Sequence, residues 1–366
     1  MYDFIIAGAG PGGSTLARLL GKNFKVLLLE KKKLINNEMT REKVCGGLLA
    51  PDAQKALGSL GLGIPLSVLT GPQLFGVRSI DLEENLEQFY QRFYININRK
   101  KFDHWLISLI NDTVDIRYGS TMKYFSENNT NVEVEFLNNG KIFKEKCRYL
   151  IGGDGSLSRV REILTGHSIK TLPSYIALQQ SFEKKTPDSH FSVFFDHNVT
   201  DFYSWIIPKE ESFVLGAALP YSKNIFQKFQ LLQEKTQNWG YNFKRSIKTE
   251  SAWIIRPKNN TIHSGTQRVL LIGEAAGLIS PSSAEGISYA IRSALYLSKA
   301  ADLDIDNLYD EYNKNLTPLK RNIFFKNLKS PFMYNRFLRK QILKSGIMSI
   351  KNEGDIPCMS LQNITA

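Results

Sequence analysis

Residues 4–20, "FIIAGAGPGGSTLARLL", decide the fold of this chain. The apolar run Phe4–Ala7 predicts a short buried strand, and "STLARLL" has the apolar spacing of a helix. Between them, Gly8, Gly10 and Gly13 form the pattern G-x-G-x-x-G. Such a turn lets the backbone approach a pyrophosphate closely and presents it to the positive end of a helix. The stretch therefore predicts a strand, a phosphate-binding turn and a helix.

A second apolar strand, "KVLLLE", follows and ends at Glu30. In a dinucleotide site, an acidic residue at the end of this strand accepts hydrogen bonds from the ribose hydroxyls. Glycine-rich turns also occur without a ligand, so the alternative is a tight strand-to-helix turn alone. The order of strand, turn, helix and acidic residue favours the dinucleotide site.

The bulk composition is that of an ordinary globular protein. The 366 residues are 42% hydrophobic and 22% charged, which suits one large domain or two closely joined ones. The three cysteines, Cys45, Cys147 and Cys358, form no C-x-x-C pair and predict no disulfide framework. We find neither a signal peptide nor an apolar run of about 18 residues, and we expect a cytoplasmic protein.

The net charge of +12 is concentrated near the C-terminus. Residues 320–351 contain nine Lys or Arg residues and no acidic residue. A basic surface of this kind suits nucleic acid, an anionic membrane or simple solvation. Because no nucleic-acid-binding motif accompanies the charge, we expect no nucleic-acid partner.

Within this basic region, "FMYNRFLRKQILKSG" predicts an amphipathic helix. Pro331 is its start signal and Gly346 its stop signal. This helix either packs on the nucleotide domain or holds the protein at the inner face of an anionic membrane. The residues predicted to share its apolar face are Tyr334, Phe337, Leu338 and Ile342, and its basic residues are Arg336, Arg339, Lys340 and Lys344.

The remaining segments alternate between two patterns. "FYININRKKFDHWLISLI" predicts a strand over 93–97 and a helix near 99–110, and Asn138-Asn139-Gly140 predicts a hairpin. Several alternating segments between 188 and 256 predict an antiparallel sheet. The predicted units are a discontinuous nucleotide-binding domain (1–72, 96–170 and 262–305), a substrate domain (73–95 and 171–261), a C-terminal helical region (306–351) and a loose tail (352–366).

Two later segments repeat the change from strand to glycine turn. "GGDG", residues 152–155, and "GEAAG", residues 273–277, both follow apolar strands. Together with "NRKKFDHWL" they resemble the flavin motifs of FAD-dependent oxidoreductases built like aromatic hydroxylases and geranylgeranyl reductases. The resemblance implies FAD as the cofactor. It also implies an α/β fold in which a Rossmann-like FAD-binding domain carries an inserted antiparallel-sheet substrate domain and a helical C-terminus.

The resemblance also assigns residues to the cofactor. Glu274 would hold the ribitol or ribose side of FAD, Asp154 would support the site, and Arg99 and Arg41 would contact the cofactor. The full set of predicted FAD-binding residues is Gly8, Gly10, Pro11, Gly13, Glu30, Lys31, Arg41, Cys45, Gly46, Gly47, Arg99, Asp154, Gly273, Glu274, Ala275, Gly277, Pro281, Gly286 and Ile287.

Two further segments narrow the resemblance to the geranylgeranyl reductases. "VCGGLLAP" resembles their C-G-G loop, and "YSWIIP" resembles their Y-x-W-x-F-P substrate-cavity motif. The chain departs from the family at Glu274, Ala284 and Ile207, where Asp, Gly and Phe are usual. Glutamate keeps the acceptor, so FAD binding should survive, whereas Ala284 alters the backbone beside the flavin.

Cys45, Tyr203 and Trp205 are the candidate catalytic residues. Cys45 would lie over the flavin and help deliver a proton or place the substrate; its alternative role is packing where the backbone approaches the ring. Tyr203 and Trp205 alternate in a strand and would wall an apolar cavity, with the phenol as a proton donor. The alternative for this pair is ordinary packing on a sheet face. His190 and His197 have no further ligands at motif spacing, and we expect no metal site.

Three functions are open on these grounds. The first is hydride transfer from reduced FAD to a carbon–carbon double bond of a hydrophobic, isoprenoid-like substrate. The second is a FAD-dependent monooxygenase of a small hydrophobic substrate, and the third is a FAD-binding sensor without turnover. No second strand–GxGxxG–helix unit is present for NAD(P)H. The reductant is therefore NAD(P)H at an unconventional site or another electron carrier, such as a donor protein.

Overall fold

The computed structural model describes residues 1–35, 38–40, 43–167, 171–183, 190–258, 261–347 and 349. Its strands are β1 (Tyr2–Ala7), β2 (Val26–Glu30), β3 (Leu34–Ile35), β4 (Glu38–Met39), β5 (Leu48–Leu49), β6 (Leu74–Asp81), β7 (Leu86–Asn96), β8 (Asp115–Tyr118), β9 (Ser120–Glu127), β10 (Val132–Asn138), β11 (Lys141–Gly152), β12 (Ser174–Glu183), β13 (Phe191–Asp196), β14 (Thr200–Lys209), β15 (Ser212–Pro220), β16 (Ser246–Ile255) and β17 (Val269–Leu271). Its α-helices are α1 (Pro11–Leu20), α2 (Pro51–Ser59), α3 (Arg99–Ser108), α4 (Arg159–Thr165), α5 (Ile225–Gln237), α6 (Ile287–Leu303), α7 (Leu308–Asn315), α8 (Thr317–Tyr334) and α9 (Arg336–Ser345).

The first sheet has seven strands in the order β8-β2-β1-β11-β10-β9, with β17 beside the carboxyl half of β11. Strand β1 runs parallel to β2 and β11, and β17 also runs parallel to β11. Every residue of β2 is buried, as expected for a parallel strand covered on both faces. The predicted hairpin is confirmed, because β10 and β11 are antiparallel and Asn139 and Gly140 both have positive φ between them.

This sheet brings the three glycine motifs together, because parallel strands end at the same edge. The Gly8 N–H donates to Leu29 O at 2.7 Å, and the Gly153 N–H donates to Ala7 O at 2.9 Å. The N–H of Ile272, after β17, donates to Gly152 O at 3.0 Å. The turns after β1, β11 and β17 therefore lie side by side.

The second sheet has eight strands in the order β16-β12-β15-β14-β13-β6-β7-β5. Its pairs are antiparallel, as predicted, except that β13 runs parallel to β6. One face packs against α5 through buried residues that include Leu215, Phe229 and Leu232. The other face carries Phe191, Phe195 and the side chains of the "YSWIIP" strand.

The C-terminal helices differ from the predicted single helix. Pro331 lies inside α8, so its assignment as a start signal was wrong. Helix α9 begins after Asn335, whose side chain accepts the Leu338 N–H at 3.1 Å. A proline near a helix end removes a single hydrogen bond, and α8 therefore continues until Asn335 offers a cap. Tyr334 consequently belongs to α8, while Gly346 ends α9 with φ 64° as predicted.

The tail 352–366 lies outside the described residues. Among the helices that the structure describes, none combines the length and apolarity needed to cross a bilayer.

Candidate functional site

The glycine turn after β1 has the geometry of a pyrophosphate site. Gly8 has φ 97°, and a Cβ there would lie 2.7 Å from Gly153 O. A Cβ on Gly13 would lie 1.9 Å from Gly8 O, so both glycines are required by the fold itself. Gly10 differs, because a Cβ there would meet nothing within 4 Å. Gly10 precedes α1 without a side-chain cap, which leaves the first N–H groups of the helix available to an anion.

Glu30 supports this turn from the neighbouring strand. Its buried carboxylate accepts the N–H groups of Ala9 and Lys32, both at 2.8 Å. Each carboxylate oxygen can accept a further hydrogen bond, so the role in holding a ribose is compatible with these contacts. Lys31, beside it, is exposed.

Asp154, in the second motif, holds the start of α4. Its carboxylate accepts hydrogen bonds from Ser158 Oγ at 2.5 Å, Arg159 N at 2.7 Å and Val160 N at 3.2 Å. Burial raises the pKa of Asp154, and these donors oppose that rise. Asp154 thus supports the turn that carries Gly153 and leaves no oxygen without a donor.

The third motif links the nucleotide sheet to the second sheet. Glu274 accepts the N–H of Ile255, at the end of β16, at 3.1 Å, and its other oxygen lies 3.6 Å from Lys43 Nζ. Gly277 ends the motif with φ 77°. Helix α6 then begins after Gly286, and the Glu285 carboxylate accepts the N–H of Ser288 in its first turn at 2.7 Å.

Between this motif and α6 runs a segment, residues 280–285, that we call the serine loop. Three of its consecutive carbonyl oxygens accept hydrogen bonds from side chains distant in the sequence. Arg256 donates to Pro281 O at 3.2 Å, Tyr334 to Ser282 O at 2.7 Å and Tyr203 to Ser283 O at 2.7 Å. The second sheet and α8 therefore set the path of the serine loop.

Ala284 follows these contacts with φ 48°, in the left-handed region. A glycine adopts this conformation without strain, whereas an alanine does so at a cost. At position 284 the chain therefore has alanine in place of the family's usual glycine, while the backbone still has the left-handed conformation that suits glycine.

The C-G-G loop lines the same cleft as the serine loop. A Cβ on Gly46 would lie 2.5 Å from Ile207 Cδ1, and one on Gly47 would lie 2.5 Å from Ile97 O. Cys45 Sγ accepts the Gly47 N–H at 3.4 Å. Close packing therefore explains why Gly46 and Gly47 have no side chain, and Cys45 lines the cleft.

Two buried cations flank this loop. The Arg99 Nε lies 2.7 Å from Asp103, and its guanidinium also contacts Cys45. Lys209 donates to Gly47 O at 3.3 Å and Ile97 O at 3.2 Å, and it also contacts Asn96. Burial lowers the pKa of Lys209 to about 8. These contacts fix the position of the C-G-G loop.

These parts enclose one continuous cleft with a cavity volume of about 390 Å³. Gly10, Gly153 and Gly273 line its nucleotide end. Tyr203 and Trp205 lie on the same face of β14 and line the other end, with ring centroids 5.5 Å apart. Trp205 Nε1 is buried, and the described residues offer it no acceptor. The three glycine turns lie beside an aromatic cavity and fit a flavin dinucleotide, and the turn before α1 has no side-chain cap.

The structure separates the predicted residues into two groups. Some line the cleft directly: Gly10, Pro11, Cys45, Gly46, Gly47, Arg99, Tyr203, Trp205, Gly273, Glu274, Gly286 and Ile287. Others do not line it and lie in the surrounding turns: Gly8, Gly13, Glu30, Lys31, Asp154, Ala275, Gly277 and Pro281. Arg41 lies outside the described residues. The described residues contain no group of three His, Cys, Asp or Glu side chains placed to share a metal ion.

Sequence reasoning missed several ionisable residues that line the cleft or fix its walls: Lys43, Tyr90, Arg92, Tyr94, Lys209, Glu285 and Lys326. Lys209 directly follows "YSWIIP", and Glu285 directly follows Ala284, where the chain departs from the family; these positions are signals that could have identified both residues. Arg92 and Lys326 also line the cleft. They come from β7 and α8, which are far apart in the sequence, and no local pattern brings them together.

The comparisons with known proteins agree with this geometry. The model of a family described as the FAD binding domain matches residues 1–317. The protein CbrA of Escherichia coli strain CFT073 is 38% identical over 358 residues, which are 97% of this chain and 96% of CbrA.

Solved structures show the same fold. A geranylgeranyl bacteriochlorophyll reductase-like protein from Thermoplasma acidophilum has a TM-score of 0.76 at 22% identity, covering 93% of this chain and 91% of that one. PqsL from Pseudomonas aeruginosa, described as a probable FAD-dependent monooxygenase, has a TM-score of 0.71 at 16% identity, covering 94% and 99%. The predicted α/β fold with its inserted sheet is confirmed. The chain belongs to the FAD-binding-domain family of oxidoreductases and monooxygenases, and FAD is its cofactor.

Proposed function

We propose that this protein reduces a carbon–carbon double bond of a hydrophobic, isoprenoid-like substrate. The observation that carries the proposal is the continuity of the cleft, which joins the glycine turns to an aromatic cavity. Bound FAD, when reduced, supplies hydride chemistry. The residues of the chain have to bind the hydrocarbon, exclude water and hold a proton.

The cavity wall suits a hydrocarbon. Phe191, Val193 and Phe195 of β13 line it, and so do Tyr203 and Trp205 of β14. Closely packed aromatic and aliphatic side chains bind apolar chains and keep water away from the reacting atoms. The unused Trp205 N–H favours a role in substrate contact over sheet packing alone.

Glu285 is the best candidate to hold the proton. Its carboxyl group lines the cleft and accepts hydrogen bonds from Ser288 N at 2.7 Å and Ser288 Oγ at 2.6 Å. Burial raises the pKa of Glu285, so it keeps a proton at a higher pH than an exposed glutamate. The hydroxyl of Tyr203 already donates to Ser283 O, and burial raises the pKa of this hydroxyl above its usual value. We therefore assign Tyr203 to positioning the serine loop, and Cys45 to substrate contact.

A monooxygenase is the second candidate. PqsL, described as a probable FAD-dependent monooxygenase, shares this fold over 94% of this chain, and this likeness favours the second candidate. A sensor that binds FAD without turnover is the third candidate. The three functions differ in whether a substrate oxidises reduced FAD and whether oxygen is consumed.

Anaerobic kinetics on the FAD-loaded protein test the proposal. The protein is reduced with dithionite and mixed with a polyprenyl alcohol, and flavin absorbance and product mass are followed. We expect flavin reoxidation without oxygen and a product heavier by two hydrogens. Reoxidation that yields an oxygenated product, and only in air, would select the monooxygenase. No substrate-dependent change in either gas would select the sensor. NADPH and reduced ferredoxin, supplied in place of dithionite, identify the class of electron donor.

We further propose that the protein docks on an anionic membrane through α8. Three of the four cations predicted for this role on α9 are paired with acids: Arg336 and Lys340 contact Glu84 at 2.6 and 2.5 Å, and Arg339 contacts Asp81 at 2.7 Å. Helix α8 instead exposes an apolar stripe. Its members, which have the spacing of one helix face, are Phe324, Phe325, Leu328 and Phe332.

The surroundings of this stripe support a lipid surface as its occupant. Arg321 and Lys329 flank it and are exposed, and each cation near an anionic bilayer adds about 1 kcal/mol of binding free energy. Lys326 and Met333 of the same helix line the cleft, so a substrate leaving the bilayer would enter close by.

Cosedimentation with phosphatidylcholine–phosphatidylglycerol vesicles tests this docking. We expect binding at low salt, weaker binding at high salt, and loss in a Leu328→Ser, Phe332→Ser variant. Phe75→Ser is the matched control, because Phe75 is also an exposed phenylalanine but lies on β6. Absence of binding at low salt, or unchanged binding of the double variant, would reject the proposal.

A further inference from the structure

Cationic side chains gather at the rim of the cleft. Arg92 extends from β7 and is exposed while still lining the cleft. Lys326 lines the cleft from α8, and its ammonium group lies 5.2 Å from the centre of the Tyr289 ring. Both Arg92 and Arg292 are close enough to Lys326 to act electrostatically on it. Arg92 and Lys326 therefore bring two positive groups from two different elements to the cleft, and Arg292 of α6 adds to the positive potential at Lys326.

The nearby acids do not neutralise this group. Asp52 is half exposed and lies 4.0 Å from Lys326, at the limit of an ion pair. Glu285 also acts attractively on Lys326, but its carboxyl group is engaged with Ser288, and burial raises its pKa, which favours its neutral form. Within the part of the chain that the structure describes, neither Arg92 nor Arg292 has a carboxylate at ion-pair distance, so excess positive charge is left at the rim.

The wall next to this charge is apolar. Arg92 lies between Tyr90 and Tyr94 on the same face of β7, and its guanidinium lies 5.5 Å from the centre of the Tyr94 ring. Tyr90, Tyr94 and Phe191 continue the lining inward. A molecule that fills this cleft therefore meets cations at one end and aromatic rings along its length.

We propose that Arg92 and Lys326 form a subsite for the phosphate or carboxylate head group of an amphiphile whose hydrocarbon part fills the aromatic cavity. This inference rests on the proposed function for the identity of the cavity as the substrate site. Arginine binds such anions through two parallel N–H donors, and lysine adds a compact point charge. An anchored head group fixes how far the hydrocarbon enters, and so selects which carbons reach the cofactor.

Binding to the oxidised FAD-loaded protein tests the subsite without turnover. Decyl phosphate, decanol and inorganic phosphate are titrated below the micelle-forming concentrations of the amphiphiles, and changes in flavin absorbance and binding heat are recorded. We expect decyl phosphate to bind at least tenfold more tightly than decanol. In an Arg92→Gln, Lys326→Gln variant this preference should shrink to within about twofold, while decanol affinity stays unchanged. Lys299→Gln, at an exposed lysine of α6 that does not line the cleft, is the control and should keep the full preference.

The outcomes separate this inference from the proposed function. Equal affinity for decyl phosphate and decanol, or a preference that survives in the double variant, would overturn the head-group subsite. Failure of both amphiphiles to bind would overturn the apolar substrate cavity as well. The source of the anion is read from a third arm with decyl phosphate in phosphatidylcholine vesicles. If the wild-type protein binds monomeric decyl phosphate, the ligand is a free amphiphile. If it binds decyl phosphate only in vesicles, the ligand is a membrane lipid. In either case the double variant should lose this binding.

Discussion

The hydroxyl of Tyr203 donates a hydrogen bond to the backbone carbonyl of Ser283 at 2.7 Å, across 80 residues of sequence. This bond connects a strand of the second sheet to the serine loop, which precedes the helix that faces the nucleotide end of the cleft. The aromatic wall of the cavity and the serine loop are therefore directly connected, and Tyr203 helps to position the serine loop.

Replacing Tyr203 tests that role. In Tyr203→Phe the half-buried Ser283 carbonyl loses its donor, which costs about 1–3 kcal/mol. We expect FAD to bind several-fold more weakly, with a similar effect from Tyr334→Phe, whose hydroxyl donates to Ser282 O. Flavin titration measures both. A Tyr203→Phe protein with unchanged FAD affinity but a slowed chemical step would instead make Tyr203 the proton donor.

Substitutions at two glycines of the first turn should affect different properties: Gly10→Leu should weaken FAD binding, and Gly13→Ala should destabilise the fold. Gly10 has an extended backbone and open space at its Cβ, so Gly10→Leu should leave the unfolding free energy of the FAD-free protein within about 0.5 kcal/mol. Its FAD affinity should fall at least tenfold, because the side chain would occupy the path of the pyrophosphate. Gly13→Ala should destabilise the fold itself by about 1–3 kcal/mol, since the Cβ would lie 1.9 Å from Gly8 O. Wild-type FAD content in Gly10→Leu would show that the turn does not hold the pyrophosphate.

The strained backbone at Ala284 predicts a stabilising substitution. Ala284→Gly removes the cost of a left-handed alanine, about 1–2 kcal/mol, and adds about 0.4–1 kcal/mol of unfolded-state entropy. The net expectation is a gain of roughly 0.5–1 kcal/mol in urea unfolding. The control is Ala290→Gly, inside α6, which should destabilise by about 1 kcal/mol. A loss of stability in Ala284→Gly would mean that other contacts of the methyl group outweigh the strain.

Lys209 predicts a dependence of stability on pH. Burial lowers its pKa from 10.5 to about 8, so the cost of burying its charge is fully present below pH 8. Between about pH 8 and 10.5 the unfolded chain binds a proton that the folded protein has released, and stability therefore rises with pH. Lys209→Met should lack this rise. The unfolding free energies of both proteins are measured at pH 7.5 and pH 10. Because the other groups titrate equally in the two proteins, the difference between their pH profiles reports the titration of Lys209. Identical pH profiles for the two proteins would contradict the assignment.

The sequence by itself determined the nucleotide half of the molecule. The turn at Gly8–Gly13, the strand ending at Glu30 and the two later glycine motifs are local patterns, because a strand, a turn and a helix start each depend on neighbouring residues. Their shared location followed from the rule that parallel strands end at one edge. The C-G-G loop and the alternation of Tyr203 with Trp205 were equally local, and both reach the cleft.

Only the tertiary structure decided how charges and loops pair over long distances. Arg339, predicted for a membrane-facing helix, is buried against Asp81, which lies 258 residues earlier in the chain. The three donors to the serine loop, the position of Lys209 under the C-G-G loop, and the meeting of Arg92 with Lys326 likewise join separate elements. Local periodicity shows which face of a helix is apolar, but the partner of each polar group depends on the packing of the whole chain.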